Sequence, residues 1–289
     1  MRIANLNDRA VIVSAGRAVD VHDASEGRFG PDTLTVLEEW DEVLAWAGSA
    51  TLPEGTAYAE EDLGPVVARP RQIFAIGLNY RDHADEAGLD HPEDIVVFTK
   101  FASSLDGPVN TVPMTSEKVD WEAELVAVIG REIHRVDEAA ALEAVAGYCV
   151  GQDFSDRAVQ LRPPAPQFSL GKSFPGFSPV GPAIVTADEL SDPSALRITG
   201  VIEGPTADEH GENGSWTVQD GSTSDLIFPV ARVISDLSQV VTLYPGDLVF
   251  TGTPAGVGSG RGVFLQAGDR VTTTIEGLGT LRSECVAAR

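Results

Sequence analysis

The segment from Val119 to Gly130, VDWEAELVAVIG, places two carboxylates at strand spacing directly before an apolar run. Residues two apart on a strand project from one face, so Glu122 and Glu124 are expected to point the same way, with Asp120 one step earlier. Leu125 to Ile129 is apolar on both faces, which is typical of a strand covered on both sides. Two like charges at the mouth of a buried strand are costly unless a cation neutralises them. A divalent metal ion would do so, although an edge strand with a solvated acidic face gives the same local pattern.

A third carboxylate follows a later strand. Tyr148 to Gly151 reads as a buried strand, and Asp153 comes directly after it. Three carboxylates would offer three protein oxygens to a hard divalent cation and leave positions for water or substrate. Because three carboxylates outweigh the charge of such an ion, Arg157 or Lys172 could restore local neutrality.

The segment GLNYRDHADEAG follows a predicted strand, Gln72 to Ile76, and carries an imidazole close to a carboxylate. A short helix is expected to begin near Tyr80 and to stop at Gly88. On that helix His83 and Glu86 are three apart and share a face. A carboxylate beside an imidazole fixes its tautomer and raises its basicity, which suits a general base, but such a pair on a surface helix often has no chemical role.

Lysine is rare in this chain, which has only Lys100, Lys118 and Lys172. Lys172 lies in FSLGKSFPGFSPVGP, a loop that is too apolar for an ordinary solvated lysine. The glycine-rich stretch after the predicted strand Asp247 to Phe250 lacks the Gly-Lys-Ser/Thr of a P-loop and does not match a dinucleotide fingerprint, so nucleotide binding is rejected. Thr253 in that stretch remains available as a hydroxyl donor.

The composition excludes several classes of partner. The formal net charge of −24 repels phosphate backbones and anionic membrane surfaces, so neither a nucleic-acid nor a membrane partner is expected. No apolar run is long enough to span a bilayer, and the start MRIANLNDR lacks the apolar core of a signal peptide, which predicts a cytoplasmic protein. Cys149 and Cys285 are far apart and suggest neither a disulfide framework nor a zinc site.

The chain of 289 residues is predicted to form a small N-terminal α+β domain over residues 1–60, a linker over 61–70 and a main domain over 71–289. Short alternating segments near the start predict a meander of strands. Asp32 is expected to cap a helix. The apolar stripe of this helix is expected to contain Leu34, Leu37, Trp40, Leu44 and Ala45.

Taken in order, these segments resemble the fumarylacetoacetate hydrolase family. The resemblance covers about Arg71 to Val286 and rests on GLNYRDHADE, VDWEAELVAVIG, GQDFSDRAVQ, GKSF, DGSTSDLIF and PGDLVFTGTPAGVG. It implies a mainly β fold with few helices, a mixed β-sandwich roll. It also implies a homodimer and a divalent ion, Mg²⁺ or Mn²⁺, with Ca²⁺ as a substitute in crystals.

The resemblance also implies roles for single residues. Glu122, Glu124 and Asp153 match the metal ligands. His83 and Glu86 match the catalytic dyad, and Lys172 matches a lysine that stabilises developing negative charge. Arg157, Gln160 and Thr253 lie where relatives contact the substrate. Two departures from the family pattern are Pro175, where many relatives have an acidic residue, and the hairpin turn Glu203 to Gly214, which is longer than usual.

The expected activity is metal-dependent hydrolysis of a carbon-carbon bond in a small anionic 2-oxo acid of the acylpyruvate or 2,4-diketo acid type. The same residues suit decarboxylation of oxaloacetate, or hydration or isomerisation of a 2-oxo acid of the hydroxymuconate type in aromatic catabolism. A protein that binds a metal and a 2-oxo acid without turnover is the alternative from another class.

Overall fold

The computed structural model describes residues 1–86 and 88–288. The strands are β1 (Arg2–Leu6), β2 (Arg9–Ser14), β3 (Arg17–Asp20), β4 (Thr56–Ala57), β5 (Ile73–Gly77), β6 (Val96–Thr99), β7 (Leu105–Asp106), β8 (Val109–Met114), β9 (Val119–Asp120), β10 (Ala123–Ile129), β11 (Val145–Gln152), β12 (Ser155–Asp156), β13 (Ser178–Val185), β14 (Arg197–Glu203), β15 (Ser215–Ser222), β16 (Leu248–Phe250), β17 (Arg270–Ile275) and β18 (Gly279–Ala287). The helices are α1 (Val21–Ala24), α2 (Thr33–Glu38), α3 (Trp40–Ser49), α4 (Arg81–Glu86), α5 (Glu138–Glu143), α6 (Arg157–Gln160), α7 (Phe168–Gly171), α8 (Pro205–His210), α9 (Val230–Val240) and α10 (Gly258–Arg261).

A large mixed sheet forms the centre of the fold. Its strand order is β4-β3-β2-β1-β13-β11-β10-β16-β5-β6, and β7 pairs with β13 beside this path. Strand β10 lies between β11 and β16 and is buried along its whole length, as its apolar sequence predicts. A strand that is covered on both faces is held rigidly, so it can position charged side chains precisely.

A second sheet, in the order β15-β14-β17-β18-β8, packs against the first. One apolar cluster contains Leu125 and Val150 from the large sheet together with Ile198, Ile275 and Leu281 from the second sheet, so the main core lies between the two sheets. This arrangement confirms the predicted mainly β fold with a sandwich of mixed sheets.

The first strands extend the large sheet. Strand β1 pairs antiparallel with β13, with Arg2 opposite Val185, and β2 and β3 follow as a meander. The predicted meander is therefore present, and it shares a continuous sheet with the main domain. The domain limits at residues 60 and 70 stay a prediction.

The predicted helix after Asp32 is broken into α2 and α3. Asp32 caps α2 as expected, because its side chain accepts a hydrogen bond from the Thr35 N–H. The backbone leaves helical geometry at Glu39, with φ of −116° and ψ of 32°. The break shifts the buried face of α3, so Val43 is buried while Leu44 and Ala45 are exposed. The predicted stripe was therefore wrong at its last two positions.

The two departures from the family pattern differ in burial: Thr206 and Ala207 in the long turn are buried, whereas Pro175 is exposed. Helix α8 occupies much of this turn, which lies between β14 and β15. None of the helices in residues 1–86 and 88–288 combines the length and apolarity needed to cross a membrane.

Candidate metal centre

Three buried carboxylates converge at one end of the large sheet. Glu122, Glu124 and Asp153 each offer an oxygen, and these oxygens lie within 4.8 Å of one another. Strand pairing explains the convergence. Glu124 on β10 lies opposite Gly151 on β11, and the Asp153 N–H donates to the Glu122 carbonyl at 2.9 Å. Glu122 lies in a break between β9 and β10 rather than on a continuous strand, so the predicted reason for the convergence was only partly right.

Asp120 does not join the three carboxylates. Its side chain accepts hydrogen bonds from the backbone N–H groups of Gly258 at 2.7 Å and Ser259 at 2.9 Å, in the glycine-rich segment that leads into α10. Arg157 Nε donates to the same carboxylate at 2.8 Å. Asp120 therefore anchors that segment and orients Arg157.

Three cations neutralise much of the acidic charge. Lys172 Nζ donates to Glu122 Oε2, Asp153 Oδ2 and Ser155 Oγ, each at 2.7 Å. Arg157 Nη2 donates to Glu122 Oε1 at 2.6 Å. Both residues thus fulfil the predicted need for neighbouring positive charge.

Lys100 is the third cation, and sequence analysis gave it no role. Its Nζ donates to Asp153 Oδ1 and to the backbone carbonyl of Lys172, the latter at 2.5 Å. Its side chain is fully buried. The scarcity of lysine could have indicated a role for Lys100, since two of the three lysines in the chain contact Asp153.

The pKa values of two of the three carboxylates, Glu122 and Glu124, are shifted in opposite directions. Burial raises the pKa of Glu122, but Lys172 and then Arg157 outweigh burial and hold that pKa far below its usual range. Burial, followed by repulsion from Asp153 and Glu122, raises the pKa of Glu124 well above its ordinary value. Among the described residues, Glu124 accepts only the Gly252 N–H, at 2.7 Å. A cation beside Glu124 would therefore remove an unfavourable interaction.

This set of donors fits a hard divalent ion. Carboxylate oxygens are the ligands that Mg²⁺ and Mn²⁺ prefer, and Glu124 forms no ion pair with a lysine or arginine among the described residues. The three carboxylates Glu122, Glu124 and Asp153, called the acidic centre below, could hold such an ion together.

His83 on α4 has a buried and unpartnered ring nitrogen. Its Nδ1 makes no hydrogen bond to any described residue. Burial lowers the pKa of His83, and the opposing attraction of Glu122 does not reverse this shift. A buried polar atom without a partner costs about 1 to 3 kcal/mol, so this nitrogen is suited to a ligand or a water molecule.

Glu86 does not hydrogen-bond to His83, which corrects the expectation that it holds the imidazole. Its Oε2 accepts the Gly256 N–H at 2.8 Å, and its Oε1 lies 3.6 Å from Arg261 Nε. In this structure Glu86 fastens α4 to the glycine-rich segment.

Gln160 and Thr253 both contact other protein groups. Gln160 Oε1 accepts from Arg157 Nη1 at 2.8 Å. Thr253 Oγ1 donates to the Ala123 carbonyl at 2.9 Å and accepts from Gln219 Nε2 at 2.8 Å. These bonds hold Arg157 and the start of β10 in place, and the predicted substrate contacts of both residues stay predictions.

Residues 72–286 match the family model of the fumarylacetoacetate hydrolase C-terminal domain. A protein of Burkholderia multivorans, provisionally named a hydrolase, is 43% identical over 92% of this chain and 94% of its own. The crystal structure of a Mycobacterium smegmatis protein, provisionally named HpcE, is 49% identical with a TM-score of 0.92, and the match covers 100% of both chains.

Two further solved structures differ in their named activities. A maleylpyruvate hydrolase from Sphingobium sp. SYK-6, in complex with manganese(II) and pyruvate, is 26% identical with a TM-score of 0.77. A 5-carboxymethyl-2-hydroxymuconate delta-isomerase from Mycobacterium smegmatis is 28% identical with a TM-score of 0.73. Both matches cover 100% of each chain.

Proposed function

The chain belongs to the fumarylacetoacetate hydrolase family, and from this premise we propose that it hydrolyses a carbon-carbon bond in a small 2-oxo acid of the acylpyruvate type. The observation that carries the proposal is the unpartnered Nδ1 of His83 in the electrostatic field of the buried carboxylates. A neutral imidazole with a free nitrogen can accept a proton from water.

The charges at the centre favour an anionic substrate once an ion is bound. Counted as formal charges, the three converging carboxylates and Asp120 contribute four negative charges against three positive charges from Lys100, Arg157 and Lys172, which leaves one negative charge. A bound cation would also favour the ionised form of Glu124, whose pKa is otherwise raised. A divalent ion would reverse this balance to one positive charge. A monoanion such as a 2-oxo acid would then complete neutrality, despite the acidic character of the whole chain.

The chemistry follows from the roles proposed for these residues. A divalent ion held by Glu122, Glu124 and Asp153 would act as a Lewis acid that polarises the 2-oxo group. His83 takes a proton from the water that attacks the distal carbonyl carbon. The bond between this carbonyl carbon and C3 of the pyruvate unit then breaks, and the acyl part leaves as a carboxylic acid. The electron pair of the bond passes to pyruvate as its enolate, and His83 returns the proton to C3.

Lys172 is proposed to stabilise the negative charge that develops on the enolate oxygen. Its ammonium lies at the centre, and the attraction of Asp153 and Glu122 overcomes the effect of burial and raises its pKa, so it stays charged. Arg157 and Gln160 are proposed to orient the carboxylate of the substrate. The manganese and pyruvate present in the Sphingobium maleylpyruvate hydrolase support a 2-oxo acid ligand here.

The test replaces His83 by Ala and measures pyruvate release from acylpyruvates with Mg²⁺ or Mn²⁺ present. Loss of the general base should lower kcat by about a hundredfold or more, since this is the usual contribution of such a group. His91→Ala is the matched control, because His91 lies nearby, is exposed and pairs with Asp85.

Three outcomes would contradict the proposal. Near-normal turnover of His83→Ala, with melting temperature and metal response unchanged, would remove the residue from the role of base. Release of CO₂ from oxaloacetate, or isomerisation of a hydroxymuconate, at rates far above acylpyruvate hydrolysis would favour those activities. Tight binding of 2-oxo acids without turnover across the whole panel would favour a binding protein.

A further inference from the structure

A cavity of about 430 Å³ beside the acidic centre is lined by Lys118, Arg157 and Arg162. None of the described residues that line it is acidic. The whole chain carries 44 acidic residues against 20 lysines and arginines, so this cavity reverses the prevailing sign of charge. A local concentration of cations of this kind attracts anions.

Two of the three cations are uncommitted. Lys118 and Arg162 are exposed, and within residues 1–86 and 88–288 neither side chain forms an ion pair or a hydrogen bond. Lys118 is also the one lysine that the acidic centre does not use, since Lys100 and Lys172 both bond to Asp153. Uncommitted cations can give a ligand full charge-assisted hydrogen bonds.

The cavity is separate from the converging carboxylates. Arg157 lies in its wall and bonds to Asp120 and Glu122, but Glu122, Glu124 and Asp153 do not line it. The cavity therefore lies next to the acidic centre, and the side chain of Arg157 separates the two.

The remaining wall is mainly apolar. Leu161, Pro163 and Phe264 contribute to it, and Leu161 is 58% exposed. An exposed leucine beside uncommitted cations suits a ligand that has both an apolar body and a negative group.

We propose that this cavity binds a small organic carboxylate with an apolar body, such as an aromatic carboxylate. Lys118 and Arg162 hold the carboxylate, and the body of the ligand lies against Leu161 and Phe264. The proposal goes beyond the hydrolase activity and does not depend on it.

The experiment titrates the full-length protein with a fluorinated phenylacetate, in EDTA, and follows binding by fluorine NMR. Saturable binding is expected, and Lys118→Gln and Arg162→Gln should each weaken it by about threefold to tenfold, the loss of one charge-assisted contact. Arg135→Gln removes an exposed positive charge elsewhere and should leave the affinity unchanged. The neutral alcohol analogue of the probe should not bind.

A second arm separates the cavity from the acidic centre. Excess oxalate with Mg²⁺ should occupy the carboxylate cluster and leave phenylacetate binding unchanged. Displacement of the probe by oxalate, equal affinities in wild type and both cavity variants, or equal weakening by Arg135→Gln would each overturn the proposal. No turnover is measured, so failure here is distinguishable from failure of the proposed hydrolase activity.

Discussion

Replacement of Lys100 by Met removes the cation that is most deeply buried beside the acidic centre. The side chains of Lys100 and Asp153 are both 0% exposed. Methionine keeps the length and apolar bulk of the lysine stem but cannot neutralise a carboxylate. The change therefore leaves Asp153 with Lys172 as its remaining cation among the described residues.

The expected loss of stability follows from this burial. Removal of one partner from a buried ion pair costs about 3 to 5 kcal/mol. An unfolding entropy of about 2.1 cal/mol/K per residue amounts to about 0.6 kcal/mol/K for a chain of this length. The melting temperature in EDTA should therefore fall by about 5 to 8 °C.

Calorimetry in EDTA checks this value, with the exposed Lys118→Met as the matched control. A double variant, Lys100→Met with Asp153→Asn, should recover most of the lost stability because neither partner is left alone. Burial lowers the pKa of Lys100 and Asp153 opposes that shift. A fall of less than about 2 °C would mean that Lys100 contributes little charge in the folded state and would refute the reasoning.

Two further predictions concern the titratable groups. Burial keeps the pKa of His83 below its ordinary value of about 6.5, so the base form persists on acidification, and the acid limb of kcat/KM for acylpyruvate should have its midpoint below pH 6.5. A midpoint above pH 7 in the pH profile of kcat/KM would contradict this. Glu124→Gln removes repulsion with Asp153 and Glu122, so the melting temperature in EDTA should stay equal or rise, while added Mg²⁺ should no longer raise it. A full Mg²⁺-induced rise in this variant, measured by calorimetry, would exclude Glu124 as a ligand.

The strands and the positions of the three carboxylates could be predicted because each depends on local pattern. The apolar run of β10 fixes its burial, and Asp153 follows directly from the end of β11. Likewise Val271, Thr273 and Ile275 on β17 share the buried face, as alternation requires.

Contacts between distant segments could not be predicted in this way. Helical spacing places His83 and Glu86 on one face, but it cannot show that the N–H of Gly256, 170 residues later, binds the carboxylate instead. The role of Lys100 depends on Asp153, 53 residues away. Composition singles out the lysines as rare, and only the fold brings two of them to one carboxylate.

The glycine-rich segment before and within α10 holds two separate parts of the site at once. Its N–H groups bind Glu86 at Gly256, and Asp120 at Gly258 and Ser259. Substitutions on α4 and substitutions around Arg157 should therefore be epistatic although the two elements lie far apart in the chain. Directed evolution of a new substrate range would therefore need coordinated changes in this segment, in α4 and around Asp120 and Arg157.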